Sequence, residues 1–132
     1  MKTLIPLFVF LIVFLSECKS QITQDYPFKT YLDSANNLYT TGYITNNGQK
    51  DIFVQKFDSA GRHLWSRQLI NTGGDDRGLD LAVDTHGYTF VTGYVYSNSI
   101  LNNDIILMVL NPDGTIQYSK IYEHPGDDKG MG

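Results

Sequence analysis

Leu38-Tyr39-Thr40-Thr41-Gly42-Tyr43 returns fifty-one residues later as Thr89-Phe90-Val91-Thr92-Gly93-Tyr94. Such self-similarity at a fixed period decides the fold. Three more segments follow in the same order. Asp51-Ile52-Phe53 matches Asp104-Ile105-Ile106, and Trp65-Ser66-Arg67 matches Tyr118-Ser119-Lys120. Gly74-Asp75-Asp76-Arg77-Gly78 matches Gly126-Asp127-Asp128-Lys129-Gly130. The offset drifts through an insertion after Tyr94 and a deletion near His124, and length changes of this kind belong in loops. Two copies of one unit result, 33–83 and 84–132.

The turns within each copy are legible. Asp33-Ser34-Ala35-Asn36, Asp58-Ser59-Ala60-Gly61, Asp84-Thr85-His86-Gly87 and Asn111-Pro112-Asp113-Gly114 share one pattern. An Asx side chain opens each turn by accepting backbone N–H groups ahead of it. Three residues later Asn or Gly takes the left-handed conformation at low cost. These turns start 25, 26 and 27 residues apart. Each copy therefore holds two hairpins and four strands.

The strands read as a first over 79–83, with Leu79, Leu81 and Val83 on one face and Asp80 and Ala82 on the other. The second strand, 88–95, matches 38–44. The third, 105–110, matches 52–57; its six apolar residues in a row predict burial on both faces. The fourth, 115–122, matches 62–69 and is the most polar. No window outside the N-terminus has a helical period.

Four short antiparallel strands in a repeated unit of about 50 residues describe a β-propeller blade. A β-solenoid has shorter coils, and sandwich domains need about 100 residues each. The expected class is all-β: two four-stranded antiparallel propeller blades. Two blades do not close a ring of four to eight. The chain is therefore expected to be a fragment of a larger propeller, with 84–132 truncated at the start of a third repeat. Further blades or self-association would be needed to close it.

The set of motifs resembles the bacterial SBBP repeat, a seven-bladed β-propeller repeat family. Asp84, Gly87, Phe90, Thr92-Gly93, Asp104, Gly114, Tyr118 and Gly126-Asp127-Asp128 carry the resemblance. In the first copy Asp33, Tyr39, Thr41-Gly42, Asp51, Asp58, Gly61, Trp65 and Gly74-Asp75-Asp76 do so, with Asn36 where Gly is usual. The resemblance spans residues 33–132. It implies an exported or cell-surface protein, with no catalytic signature attached to the repeat.

The N-terminus is consistent with export. Lys2 precedes an apolar run from Leu4 to Leu15, broken by Pro6. That run is too short for a bilayer, which takes roughly 20 helical residues. A basic start with a short apolar core makes a signal peptide. Residues 1–20 are assigned to it, with cleavage after Ser20 and a lead-in strand region over 21–32. The alternative is a lipoprotein signal, Leu15-Ser16-Glu17-Cys18, with Cys18 lipidated; Glu17 stands where a small residue is expected. The expected location is secreted, periplasmic or cell-surface, with no transmembrane span after cleavage.

Composition narrows the function classes. The 132 residues carry a net charge of −4, and no basic patch stands out to neutralise phosphates, so nucleic acid is not expected as a partner. Aromatics at 13% and charged residues at 18% exclude a disordered chain. A single Cys excludes an intrachain disulfide and a Cys-based zinc site.

Asp75, Asp76, Asp127 and Asp128, with Asp51 and Asp104 from the neighbouring loop, are the candidate metal ligands. Loops sharing one rim could converge these carboxylates on a hard cation such as calcium. The structural alternative is that each Asp beside Gly caps a turn. His63, His86 and His124 do not form a set, since their places in the repeat are unrelated. Trp65 and Tyr118 occupy equivalent places, suited to packing between blades or to gripping a sugar ring. No nucleophile elbow or phosphate loop is present. The expected function is an exported scaffold that binds a protein or glycan, with no catalytic residues and no cofactor beyond possible calcium. The alternative is the N-terminal part of a secreted propeller enzyme, polysaccharide-degrading or quinone-dependent, whose catalytic residues lie beyond 132.

Overall fold

The computed structural model describes residues 24–69, 73–97 and 101–123. Eight strands follow in order: β1 (Asp25–Leu32), β2 (Leu38–Asn46), β3 (Gln49–Phe57), β4 (His63–Leu69), β5 (Arg77–Val83), β6 (Thr89–Ser97), β7 (Asn102–Leu110) and β8 (Ile116–Tyr122). They form two four-stranded sheets in the orders β1-β2-β3-β4 and β5-β6-β7-β8, every pair antiparallel. The sequence period, cut at the turns, begins one strand later than the sheets: β1 completes the first sheet and β5 opens the second.

Hydrogen bonds explain the turns. Asp33 Oδ1 accepts from the N–H groups of Ala35 and Asn37, each at 2.9 Å, and Asn36 takes a φ of 61°. Asp58 does the same for Ala60 and Arg62, and Asp84 for His86 and Tyr88. Gly61 and Gly87 hold the left-handed position, with φ of 80° and 88°. The fourth turn differs. There Asp113 Oδ1 accepts from Thr115 N at 2.9 Å, while the Asn111 amide donates to Thr115 Oγ1.

The first strand of each sheet carries a bulge that simple alternation misses. Register steps from Gly78↔Gly93 to Asp80↔Thr92, so Leu79 has no partner and is only half-buried beside buried Leu81 and Val83. Phe28 is the equivalent residue in β1. The glycine of the Thr-Gly-Tyr motif makes the bulge possible. A Cβ on Gly93 would lie 2.0 Å from the Arg77 carbonyl oxygen, and one on Gly42 1.9 Å from that of Tyr26. The extra residue kinks the first strand into its neighbour, and only a bare Cα leaves room.

One core lies between the sheets. The first contributes Tyr39, Ile52 and Val54, with Trp65 and Leu69 packed against them. The second contributes Leu81, Val83, Val91, Val95, Ile106, Met108 and Leu110. The strand β5 lies across β1, β2 and β3 and forms most of the joint. The expectation that 105–110 is buried on both faces holds for one face only. Ile106, Met108 and Leu110 point into the joint and are buried, while Ile105, Leu107 and Val109 are half-buried on the face turned away. Their counterparts Ile52 and Val54 are fully buried, because β5–β8 covers them. Among the described residues, no helix is long and apolar enough to cross a membrane.

Candidate functional site

The connection from β4 to β5 brings Asp75 and Asp76 to the joint. Gly74 precedes them with a φ of 150°, and a Cβ there would meet the Tyr96 ring at 2.5 Å. The chain can thus approach β6 closely. The Asp76 N–H donates to the Lys50 carbonyl oxygen at 2.7 Å, across to the first sheet. Its Oδ1 accepts from the Tyr96 N–H at 2.8 Å, in the second. Asp75 forms an ion pair with the Lys50 ammonium group. The Asp-Asp pair is thereby a clasp, tying the interblade connection to the start of β3 and the end of β6.

The clasp holds unbalanced charge. Asp76 is fully buried and its Oδ2 has no hydrogen-bond partner. Burial pushes its carboxyl up to about 7, against the pull of the Tyr96 N–H, and the charges of Asp51 and Asp75 push the same way. Asp51 is also buried, with Oδ1 unpartnered, and burial raises its carboxyl too. Asp51 and Asp76 therefore lie within electrostatic reach of each other. Asp104, the equivalent of Asp51 in the second sheet, is fully buried with both carboxylate oxygens unpartnered. Asp127 and Asp128 lie outside the described residues, as do His124 and residues 1–20, over which the sequence predicts a signal peptide, with a lipidated Cys18 as the alternative. Among the described residues, no three His, Cys, Asp or Glu side chains gather as a metal site would require.

The remaining candidates separate. His63 packs edge-on against Phe57 at 5.5 Å, and His86 sits exposed in the β5–β6 turn. Trp65 lies in the joint. Its Nε1 donates to the Pro112 carbonyl oxygen at 3.1 Å, and its ring covers Gly114, where a Cβ would come within 2.5 Å. Arg67 Nε donates to the Gly114 carbonyl oxygen at 2.5 Å. Tyr118, at the equivalent place in β8, is 46% exposed.

Two features of the joint escaped the sequence. The Arg77 guanidinium lies over the rings of Tyr43 at 5.0 Å and Tyr94 at 5.9 Å, one from each sheet, a cation–π bridge across the joint. A groove of about 340 Å³ opens between the β1–β2 and β5–β6 turns, lined in part by Tyr31, Asp33, Lys56, Val83, His86 and Pro112. The only hint in sequence was that aromatic and charged residues flank turns at equivalent positions. The pairing of opposite sheets that makes the groove has no within-strand signature.

Comparison with known proteins adds one finding. No curated protein matches the chain. Residues 64–101 match the family model for SBBP, the beta-propeller repeat. The matched segment runs from Leu64 in β4 through β5 and β6 to Leu101, across the clasp and the second bulge. The protein thus carries an SBBP beta-propeller repeat, built as two open four-stranded blades packed face to face.

Proposed function

We propose that the protein is an exported propeller-repeat scaffold that binds a protein or glycan ligand at the rim of the blade joint. The observation that carries this reading is the groove between the two turn pairs. It combines the aromatic face of Tyr31, a cation from Lys56 and turn carboxylates from Asp33 and Asp84 in one concavity. Apolar walls with a few convergent polar groups are what a ligand site needs. Lys56 also sits over the Tyr39 ring at 4.9 Å, which fixes the ammonium group at the groove wall. Export is supported by Lys2 and the apolar run that follows it. The carboxylates of Asp33 and Asp84 are already committed to backbone N–H groups of their turns, a role that suits a rigid frame. An oligosaccharide array probed with labelled protein tests the reading. Retention of one glycan class, lost in Tyr31→Ala and Lys56→Ala, is expected. Retention unaffected by both changes, or cleavage of the arrayed glycan, overturns it.

A further inference from the structure

The joint between the two sheets shows what each face of a blade requires of its neighbour. The first sheet presents Tyr39, Thr41, Ile52, Val54 and Trp65; β5 lies on them. At the centre, the backbone of Gly78 rests on Thr41 and Ile52. A Cβ on Gly78 would lie 2.3 Å from Thr41 Oγ1 and 3.1 Å from Ile52 Cγ2. Thr41 is buried and its hydroxyl donates to the Phe53 carbonyl oxygen at 2.8 Å, so withdrawing it would break that bond. The joint therefore needs glycine where the incoming first strand opens.

The same presenting face occurs again on the second sheet. Register places Phe90, Thr92, Ile105, Leu107 and Tyr118 at the positions of Tyr39, Thr41, Ile52, Val54 and Trp65. Phe90 and Tyr118 are exposed there, and Ile105 and Leu107 only half-buried. Thr92 Oγ1 is a buried atom without a partner. A second copy of the chain would offer its own first sheet to this face, with exposed Leu32 and the groove over Leu38, Phe57 and Gly61 as the seat for Tyr118. But the residue at Gly78's place in β1 is Pro27. Pro27 pairs with Gly42 as Gly78 pairs with Gly93.

We infer that the open face of β5–β8 is an interaction surface for a repeat sheet whose first strand opens on glycine, and that Pro27 excludes the chain's own first sheet from it. The proline Cβ would fall on Thr92 as a Cβ at Gly78 would fall on Thr41. Proline costs β1 little, since β1 is an edge strand. An open head-to-tail contact between identical copies would otherwise propagate into filaments. Proline at this one place blocks such growth and leaves the face for a sheet of the Asp-Asp-basic-Gly type, the pattern seen at 75–78.

Sedimentation velocity of the purified chain and its Pro27 variants tests this directly, because Pro27→Gly turns the chain's own first sheet into the stated partner. Pro27→Gly is expected to self-associate at least tenfold more tightly than the wild-type chain. Pro27→Ala, which removes the ring but keeps the Cβ, is expected to match the wild type. Adding Tyr118→Asp to Pro27→Gly is expected to return it to wild-type behaviour. Near-ultraviolet circular dichroism checks that each variant keeps its aromatic packing. The inference is overturned if Pro27→Gly associates no more tightly than wild type, if Pro27→Ala associates as Pro27→Gly does, or if the association ignores Tyr118→Asp.

Discussion

Substituting Asp76→Asn should make the protein more stable at pH 8, and more stable by a smaller amount at pH 5, where only the first part of the wild type's loss has taken place. The carboxyl of Asp76 is pushed up to about 7 from an ordinary 3.8, chiefly by burial. Between those values the folded chain holds a proton that the unfolded chain has released. Stability then falls as pH rises, because the unfolded state binds fewer protons than the native one. The fall is complete above pH 7, where both states are ionised. Moving the carboxyl from 3.8 to about 7 corresponds to at most about 4 kcal/mol, reduced by solvent screening at the rim. Asparagine keeps an oxygen to accept from the Tyr96 N–H and puts an amide where the unpartnered Oδ2 stood. It mimics the neutral acid at every pH. Urea melts at pH 5 and pH 8, at one protein concentration, measure the effect. Asp33, whose burial is outweighed by hydrogen bonds from Asn37, Ala35 and Tyr39 that lower its carboxyl, contributes in the opposite sense, but only as pH falls below the ordinary 3.8. The window from 5 to 8 therefore reports Asp76, with Asp51 acting in the same direction. Wild-type stability that rises from pH 5 to pH 8, or a variant weaker than wild type at pH 8, would refute the reasoning. So would a wild-type midpoint at pH 8 that rises in millimolar calcium and does not in the variant. That result would mean a cation, rather than a proton, neutralises Asp51 and Asp76.

Three other substitutions probe the joint and the bulges. Gly93→Val places a side chain 2.0 Å from the Arg77 carbonyl oxygen, so the urea midpoint should drop by an amount worth about 3 kcal/mol, the upper end for overpacking. An unchanged midpoint would count against the bulge. Trp65→Ala should cost about 2–3 kcal/mol, below the range for a fully buried aromatic because Trp65 is half-buried, and Tyr118→Ala less than about 0.5 kcal/mol; equal costs in thermal melts would mean that the sheets do not pack as described. Gly78→Ala should destabilise the chain, and combining it with Thr41→Ala should recover part of the loss because the Oγ1 at 2.3 Å is gone; strictly additive losses in a double-mutant cycle would place the two residues apart.

Much of this fold is written locally. Asp33, Asp58 and Asp84 announce their turns because an Asx carboxylate meets backbone N–H groups two and four residues ahead, a contact set by sequence distance alone. Gly42 and Gly93 are legible for a related reason: a glycine repeated inside a strand marks a close backbone approach. The bulge that it accommodates is not legible, since Leu79 extends the apolar alternation without a break and only the partner strand shows that one residue is extra. Sheet-to-sheet relations are less local still. Nothing along 105–110 tells Ile106 from Ile105; the difference in burial arises because only one face of β7 meets the other sheet. The aspartates combine the two cases. Their repetition singled out Asp76, but its links to Lys50 and Tyr96 join the interblade connection to one strand of each sheet, and its unpartnered oxygen follows from that enclosure. Pro27 is the furthest from local reading. As a proline in an edge strand it is unremarked, and it gains a meaning only through Gly78, which occupies the same register fifty-one residues later and touches Thr41. A repeat thus encodes its own blade in residue spacing, whereas its choice of neighbour depends on the few positions, such as this one, where the two copies differ.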